Sequence, residues 1–416
     1  MLGKAYHTKS PCPLDSLATL LYRAAMPTAL HTHRIAPHVI ALLSGGLDSI
    51  LAVKLMQRQG IRVTCLHFTT PFFSKTEKMD QLREWYGFDI MDVDIGEDFV
   101  RMLKTRPEHG FGKILNPCVD CKILMLTHAR RIMLETGACA IISGEVLGQR
   151  PMSQRADSLN VIQNGAGVKG LLLRPLCALH LAPTKAEQDG LIDRTQLLGI
   201  SGRGRKEQLA LAYEFRLKEI PTPAGACSLG DKEKSRNYWQ ILTLLPEASA
   251  TDFVLAETGR QLWLDNATLT AQAGEPSDGV HGSSLPPVWM CIGRNQKDNE
   301  ALEALAREDD ALLKLRDYAG PLTLLRPLGA PLTPDILASA ATLAASYSPK
   351  ATQAAKETGL PIAVNVHKAS LHAPAHEILV TPSRENTPWH EANWDSAREA
   401  IRQEARERAQ SHHKIQ

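Results

Sequence analysis

Three groups of residues in the 416-residue chain have the types and spacing that chemistry uses. The first is Ser44-Gly45-Gly46-Leu47-Asp48-Ser49, which follows the apolar run Val39 to Leu43 and precedes a helical pattern. Glycines let the backbone turn sharply and bring N–H groups up to a ligand with no Cβ in the way. The helix start that follows offers unpaired N–H groups and partial positive charge, which suits a phosphate. Ser44 and Ser49 add hydroxyl donors, and Asp48 is placed to hold Mg²⁺ or orient a nucleotide. No Gly-Lys-Ser/Thr follows, so the Walker A form is excluded. A lone Gly-Gly turn would read as an ordinary strand-to-helix connection capped by Ser or Asp.

The second group is sulfur. Asn116-Pro117-Cys118-Val119-Asp120-Cys121-Lys122 is a Cys-x-x-Cys just ahead of a helix, and Cys227 ends the segment Ile220-Pro221-Thr222-Pro223-Ala224-Gly225-Ala226-Cys227. A Cys-x-x-Cys alone serves as half a zinc site, a redox dithiol or an iron–sulfur ligand pair. No second Cys-x-x-Cys or His partner for zinc is present. Three thiolates with one open position would suit a [4Fe–4S] cluster; alternatively, one cysteine carries a persulfide and another resolves it. A helix N-terminus is expected to lower the thiol pKa, which would serve either use. Cys65, Cys139, Cys177 and Cys291 lie in apolar strands or alone and read as small core hydrophobes.

The third group is polar and basic. Ser143 ends the apolar run Ala138 to Ser143, and Gly144, Glu145 and Gln149 follow it, at the strand end where open α/β sheets bind ligands. Lys122, Arg203, Arg205 and Lys206 are candidate phosphate or RNA ligands, although a solvated turn explains the last three equally well. Gly293, Arg294 and Asn295 lie between a strand and a helix, where they would either contact an RNA backbone or start and cap the helix.

The Ser44–Ser49 hexad resembles the SGGxDS signature of the PP-loop ATP pyrophosphatases, which cleave ATP between its α and β phosphates and adenylate a substrate. Together with NPCVDCK at 116–122, ISGEVLGQ at 142–149, SGRGRK at 201–206 and IPTPAGAC at 220–227, it makes residues 37–245 similar to the tRNA thiolation branch of that superfamily, related to 4-thiouridine synthetases and 2-thiouridylases. Ala226 stands where the family pattern usually has a second glycine. The resemblance implies ATP, Mg²⁺ and a [4Fe–4S] cluster as cofactors, Cys118, Cys121 and Cys227 as sulfur-handling residues and cluster ligands, and tRNA and a sulfur donor (a protein persulfide or sulfide) as partners. The GRNxxxN motif from Gly293, with Asp309-Asp310 and Tyr318-Ala319-Gly320-Pro321, resembles the NFACT-R RNA-binding domain over about residues 286–385. His367, Lys368 and His372 would extend its basic face.

The elements that must hold these residues follow from the hydrophobic pattern. Strands at Val39–Leu43, Arg62–Phe68, Asp89–Ile95 and Ala138–Ser143 alternate with helices at Lys75–Tyr86, Lys122–Glu135 and Lys206–Lys218. Such alternation predicts an α/β fold with a doubly wound parallel sheet, PP-loop/HUP-like in the light of the resemblance. A smaller α+β domain is expected to follow it. Phe253–Leu255, Leu262–Leu264 and Leu269 read as strands of a small β unit, Gly274–Pro287 as a linker, Val288–Ile292 as a strand and Asn299–Leu315 as one helix. Ile362–Val366 and Glu377–Val380 are later strands, and the mixed charges of Trp394–Gln410 suggest a solvated helix without chemistry. The expected division is an N-terminal extension 1–36, an ATP-binding sulfurtransferase domain 37–246, the β unit and linker 247–285, an RNA-binding domain 286–385 and a charged tail 386–416.

Composition limits the alternatives. The chain is 44% hydrophobic, so it is not a disordered protein, and it has no apolar run long enough to span a membrane. Charges and Pro11, Pro13 and Pro27 interrupt any signal-like stretch. Forty-seven basic residues against 45 acidic ones give no global nucleic-acid signal, so RNA binding has to be argued locally. Eight dispersed cysteines point to a reduced, cytoplasmic protein. The reading is an ATP-dependent tRNA sulfurtransferase; the alternatives are adenylation of a small molecule, or an RNA-binding adaptor with a vestigial loop.

Overall fold

The computed structural model describes residues 36–150, 152–221, 227–264, 287–329, 331–368 and 376–413. The N-terminal extension up to residue 35, Leu269 and most of the linker, residues 222–226 and His372 lie outside them.

Five parallel strands form the first sheet in the order β3-β2-β1-β4-β5: β1 His38–Leu42, β2 Arg62–Thr69, β3 Asp89–Asp94, β4 Ala140–Ile142 and β5 Leu172–Leu173. Every residue of β1 is buried, which explains the unbroken apolar run that encodes it. The chain winds outward from β1 in one direction and then returns to place β4 on its other side. The topological switch point therefore falls between the C-terminal ends of β1 and β4, where doubly wound sheets leave a crevice for ligands.

Six antiparallel strands form the second sheet in the order β11-β10-β8-β9-β7-β6. They are β6 Arg260–Leu264, β7 Val288–Ile292, β8 Ala311–Leu315, β9 Thr323–Pro327, β10 Ile362–Lys368 and β11 His376–Val380. Helices Pro334–Ala345 and Pro349–Thr358 cover one face through Leu337, Ala340 and Ala341. Each begins with proline behind a Thr333 or Ser348 cap, the residue pair that most cheaply starts a helix. The opposite face carries Trp263 stacked on Trp289 at 5.1 Å and joins the core of the first sheet through Tyr238, Trp239 and Phe253. The two sheets thus share one apolar core.

Several expected elements differ. Phe253–Leu255 is not a strand but part of helix Ala250–Leu255, because Ser249 and Asp252 form a reciprocal capping box that fixes the turn. The strand around Leu262–Leu264 does not belong to a separate small β unit: it is β6, paired along its length with β7. The helix expected over Asn299–Leu315 is Gln296–Leu305 followed by β8, and the break comes where Asp310 accepts the Arg307 N–H and turns inward to Arg326. The helix expected to start at Lys122 begins at Cys118, so both cysteines lie in its first turn. The helix starting at Lys206 ends at Glu214, with Arg216 at positive φ. The C-terminal helix Trp394–His413 is not wholly solvated, since Ala397 and Ile401 enter the shared core and Arg106 binds Glu404 at 2.7 Å. Among the described residues no helix is long and apolar enough to cross a membrane.

A buried ionic network joins the halves. Arg326 of β9 donates to Asp252 at 2.6 Å and to Asp310 at 2.7 Å, and Arg307 reaches the other oxygen of Asp252 at 2.7 Å. Asp252 is fully buried. Removing one member of such a network leaves a charge without a partner in the interior, which typically costs about 3–5 kcal/mol. Asp252→Ala is therefore expected to lower unfolding free energy by about that amount, read in denaturant titrations; a loss within about 1 kcal/mol would be that of an exposed pair and would contradict it.

Candidate active site

The hexad occupies the switch point. After β1 the backbone turns at Gly45, whose φ of 71° a side chain rarely tolerates, and Gly46 caps helix Leu47–Arg58. No side chain caps this helix start, which leaves its first N–H groups available. Ser49 donates to the Gly46 carbonyl at 2.8 Å, and the Ser44 and Ser49 hydroxyls lie 3.3 Å apart.

The loop after β4 closes against this turn. A Cβ on Gly144 would stand 2.5 Å from the Asp48 carbonyl, so only glycine fits. Gln149 lies near the Asp48 carboxyl, as do Arg150, Arg205 and Gln208. Burial pushes that carboxyl above its ordinary range, against the opposing pull of Gln149, Arg205, Arg150 and Gln208. Asp48 Oδ1 and both amide atoms of Gln208 are buried without a hydrogen-bond partner among the described residues. These atoms are open to a further polar partner, a water or a ligand. Gln208 and Arg150 were not among the residues singled out from sequence; an isolated glutamine inside a helix gives no signal. Arg205, expected with the RNA contacts, stands on the Asp48 side, while Arg203 and Lys206 are exposed. The Arg203–Lys206 segment is tied to the same loop, because Gly202 N–H donates to the Leu147 carbonyl at 2.8 Å.

Glu145 turns inward. It accepts from Ser143 and Arg174, each at 3.0 Å, and pairs with Lys122 at 3.7 Å. Although burial alone would raise it, Lys122 and Arg174 hold its carboxyl below the usual range. At 3% exposure it positions the loop, and its Oε1 has no hydrogen-bond partner among the described residues. Since Lys122 follows Cys121, this buried carboxylate joins the phosphate-type loop to the thiol helix.

The cysteine segments meet. Leu115 N–H donates to the Leu229 carbonyl at 3.2 Å, joining the stretch before Cys118 to that after Cys227, and Asn116 Nδ2 donates to Cys118 Sγ at 3.1 Å. Cys121 feels the charges of both Cys227 and Cys118, and Cys227 that of Cys118. The lowering expected at the helix start is corrected for Cys121, whose thiol burial pushes up to about 12, and burial also pushes Cys227 up to about 11. Three thiols on two joined segments are a donor set that fits an iron–sulfur cluster. As they stand, no group of three His, Cys, Asp or Glu side chains among the described residues is arranged to hold a metal ion. A cavity of about 380 Å³ lies beside Cys227, lined by Thr70 to Ser74, Ser228, Asp231, Lys234 and Glu257.

The second candidate region is built differently from its expectation. Gly293 leaves room for Asn299 Oδ1, which accepts the Leu322 N–H at 3.0 Å. Asn295 caps helix Gln296–Leu305 by accepting the Asp298 N–H at 2.9 Å. These two shape the fold, and Arg294 is exposed and paired with Asp298 at 2.8 Å. Of the core cysteines, Cys65, Cys177 and Cys291 are buried and Cys139 is half-buried.

Residues 35–182 match the family model of the thiamine biosynthesis protein ThiI, and residues 285–386 that of the NFACT protein RNA binding domain. Both resemblances read from the motifs are thereby borne out. A probable tRNA sulfurtransferase of Thermococcus kodakarensis is 34% identical over 146 residues, covering 34% of this chain and 37% of that protein. One of Finegoldia magna is 33% identical over 143 residues, covering 33% and 35%. The chain thus spans little more than a third of the length of these relatives. The solved U34-tRNA thiolase NcsA from Methanococcus maripaludis with its [4Fe-4S] cluster aligns at 18% identity over 53% of this chain and 70% of that one, with a TM-score of 0.28.

The raised Asp48 carboxyl has a sign that can be read. A carboxyl whose folded pKa exceeds its unfolded one contributes stability below the ordinary carboxylate range and loses it as pH rises through the raised value. Asp48→Asn is therefore expected to raise the thermal midpoint of the ligand-free protein at pH 7 and to lose that advantage toward pH 3. A midpoint difference that does not vary with pH would contradict the assignment.

Proposed function

We propose that the chain is an ATP-dependent tRNA sulfurtransferase acting in the cytoplasm. The observation that carries this reading is the joining of two chemistries at one sheet edge: an uncapped glycine turn with the unsatisfied Asp48 and Gln208, linked through Glu145 and Lys122 to Cys118 and Cys121. The names of its sequence relatives agree with it.

In this reading Ser44, Gly45, Gly46 and Ser49 hold the phosphates of ATP. Asp48 and Gln149 orient them with Mg²⁺, while Ser143, Gly144 and Glu145 keep the second loop pressed against the turn. A base oxygen attacks the α-phosphorus and pyrophosphate leaves. The adenylated oxygen is then a good leaving group, and sulfur displaces it as AMP. Exposed Arg203 and Lys206 face the RNA; Arg205 adds charge beside the phosphates. Residues 286–385 provide a second RNA contact through Arg294, with Gly293 and Asn295 shaping its helix.

Cys118, Cys121 and Cys227 hold the sulfur. A [4Fe–4S] cluster on these three would supply an open iron for sulfide from the donor. Without iron, one thiol would carry a persulfide taken from a protein donor and a second would resolve it, leaving a disulfide for a dithiol to reduce.

Mass spectrometry of tRNA nucleosides from a deletion strain tests the reaction: one thionucleoside should disappear and return with the wild-type gene but not with Asp48→Ala. Full restoration by Asp48→Ala would exclude the loop from the reaction, and an unchanged nucleoside profile would exclude tRNA thiolation. For the sulfur centre, anaerobic reconstitution should give about four irons with matching sulfide, lost in each of Cys118→Ser, Cys121→Ser and Cys227→Ser. Iron-free protein that still thiolates tRNA would replace the cluster by the persulfide relay.

A further inference from the structure

The second sheet ends at β6, which is buried apart from its first residue, Arg260. Gly259 packs so closely on β7 that a Cβ there would meet the Ile292 carbonyl at 2.5 Å; the next residue, Arg260, opens β6 opposite Ile292. The Arg260 guanidinium lies 4.7 Å from the centre of the Tyr347 ring. A second guanidinium, that of Arg384, lies 4.1 Å from the same ring and donates to the Ser346 carbonyl at 3.1 Å. Both arginines are exposed, and among the described residues neither has a carboxylate within ion-pair distance. Arg294, two residues beyond Ile292, completes the group. Its partner Asp298 also feels the charge of Arg260.

Two arginines thus flank one tyrosine, and a third, Arg294, shares the Asp298 carboxylate that Arg260 also acts on, in a chain whose overall formal charge is only +2. Like charges held together at an exposed surface repel, and a single ring offsets little of that. The arrangement becomes favourable when a polyanion supplies the missing negative charge. A guanidinium offers a planar face for a base and a fork for a phosphate, so cations held beside an aromatic ring suit a single-stranded or looped nucleic acid better than a folded acidic protein.

We propose that Arg260, Tyr347 and Arg384, with Arg294 beside them, form an RNA-binding site that takes phosphates and an unpaired base of the tRNA. It rests on the reading of this chain as a tRNA enzyme and deepens it. Arg260 lies outside residues 285–386, so the site is assembled from the RNA-binding-domain match and the strand that precedes it.

The test is binding of an unmodified tRNA transcript to the full chain, followed by fluorescence anisotropy over a range of salt concentrations. The double variant Arg260→Gln/Arg384→Gln should bind about tenfold more weakly, and its plot of log Kd against log salt should be shallower by about two, one for each lost phosphate contact. Tyr347→Leu should weaken binding several-fold. Arg131→Gln, on the exposed face of helix Cys118–Thr136, should change neither quantity. Wild-type affinity and slope in the double variant would overturn the site while leaving the tRNA reading intact. A wild-type chain that binds no tRNA would overturn both. Competition by poly-glutamate as effective as by tRNA at equal charge would overturn the nucleic-acid assignment in favour of an acidic protein partner.

Discussion

The Asp252 carboxylate is the constraint on which the relation of the two halves depends. It has no exposed surface, and water cannot compensate its charge, so the fold must bring it cations. Arg307 and Arg326 arrive from opposite ends of the same stretch of chain, and Arg326 also satisfies Asp310 and the carbonyl of Leu305. One requirement therefore fixes several things at once: where helix Gln296–Leu305 stops, where β8 begins, and how β9 lies against helix Ala250–Leu255. A hydrophobic contact would tolerate a shift by a residue; a buried fork of hydrogen bonds does not.

The first half is organised around a contact of another kind, the approach of Gly144 to the backbone of Asp48. That contact brings the loops after β1 and β4 together, and the inward turn of Glu145 locks it to Lys122 and Arg174. The thiol helix is thereby held by its own second residue pair, Cys121-Lys122, to the loop that would receive phosphate. Arg174 and Lys122 act on a single carboxylate from different elements, so neither loop is positioned by its local sequence alone.

The parallel sheet was legible because the runs that encode β1 and β4 are apolar and β2 carries Val63, Cys65, Leu66 and Phe68 between helical patterns, and the position of the glycine hexad followed from that. The cysteine convergence was legible only as a plausible outcome of topology; it is made by the Leu115–Leu229 hydrogen bond, which no pattern announces. Phe253–Leu255 misled because three apolar residues in a row look like a strand, whereas the Ser249/Asp252 box decides for helix. Asn299–Leu315 misled because its helical periodicity continues past a break set by Arg326, distant in sequence. Helices Pro334–Ala345 and Pro349–Thr358 were not read from the sequence, although Thr333-Pro334 and Ser348-Pro349 have the form of capped helix starts. Arg205 and Gln208 became interpretable only when the loop from Gly202 was placed beside Asp48.

The shared core also bears on how the molecule is made. Tyr238, Trp239 and Phe253 belong to the layer covering the first sheet, yet part of their apolar surroundings, Trp263, Trp289 and Leu324, is translated afterwards, and Ala397 and Ile401 later still. A nascent chain ending near residue 255 would present aromatic surface and an unneutralised Asp252 while it waits for β9. The nucleotide-type half cannot reach its final packing ahead of the RNA-binding half, so during synthesis from N- to C-terminus that aromatic surface stays open until the later strands arrive.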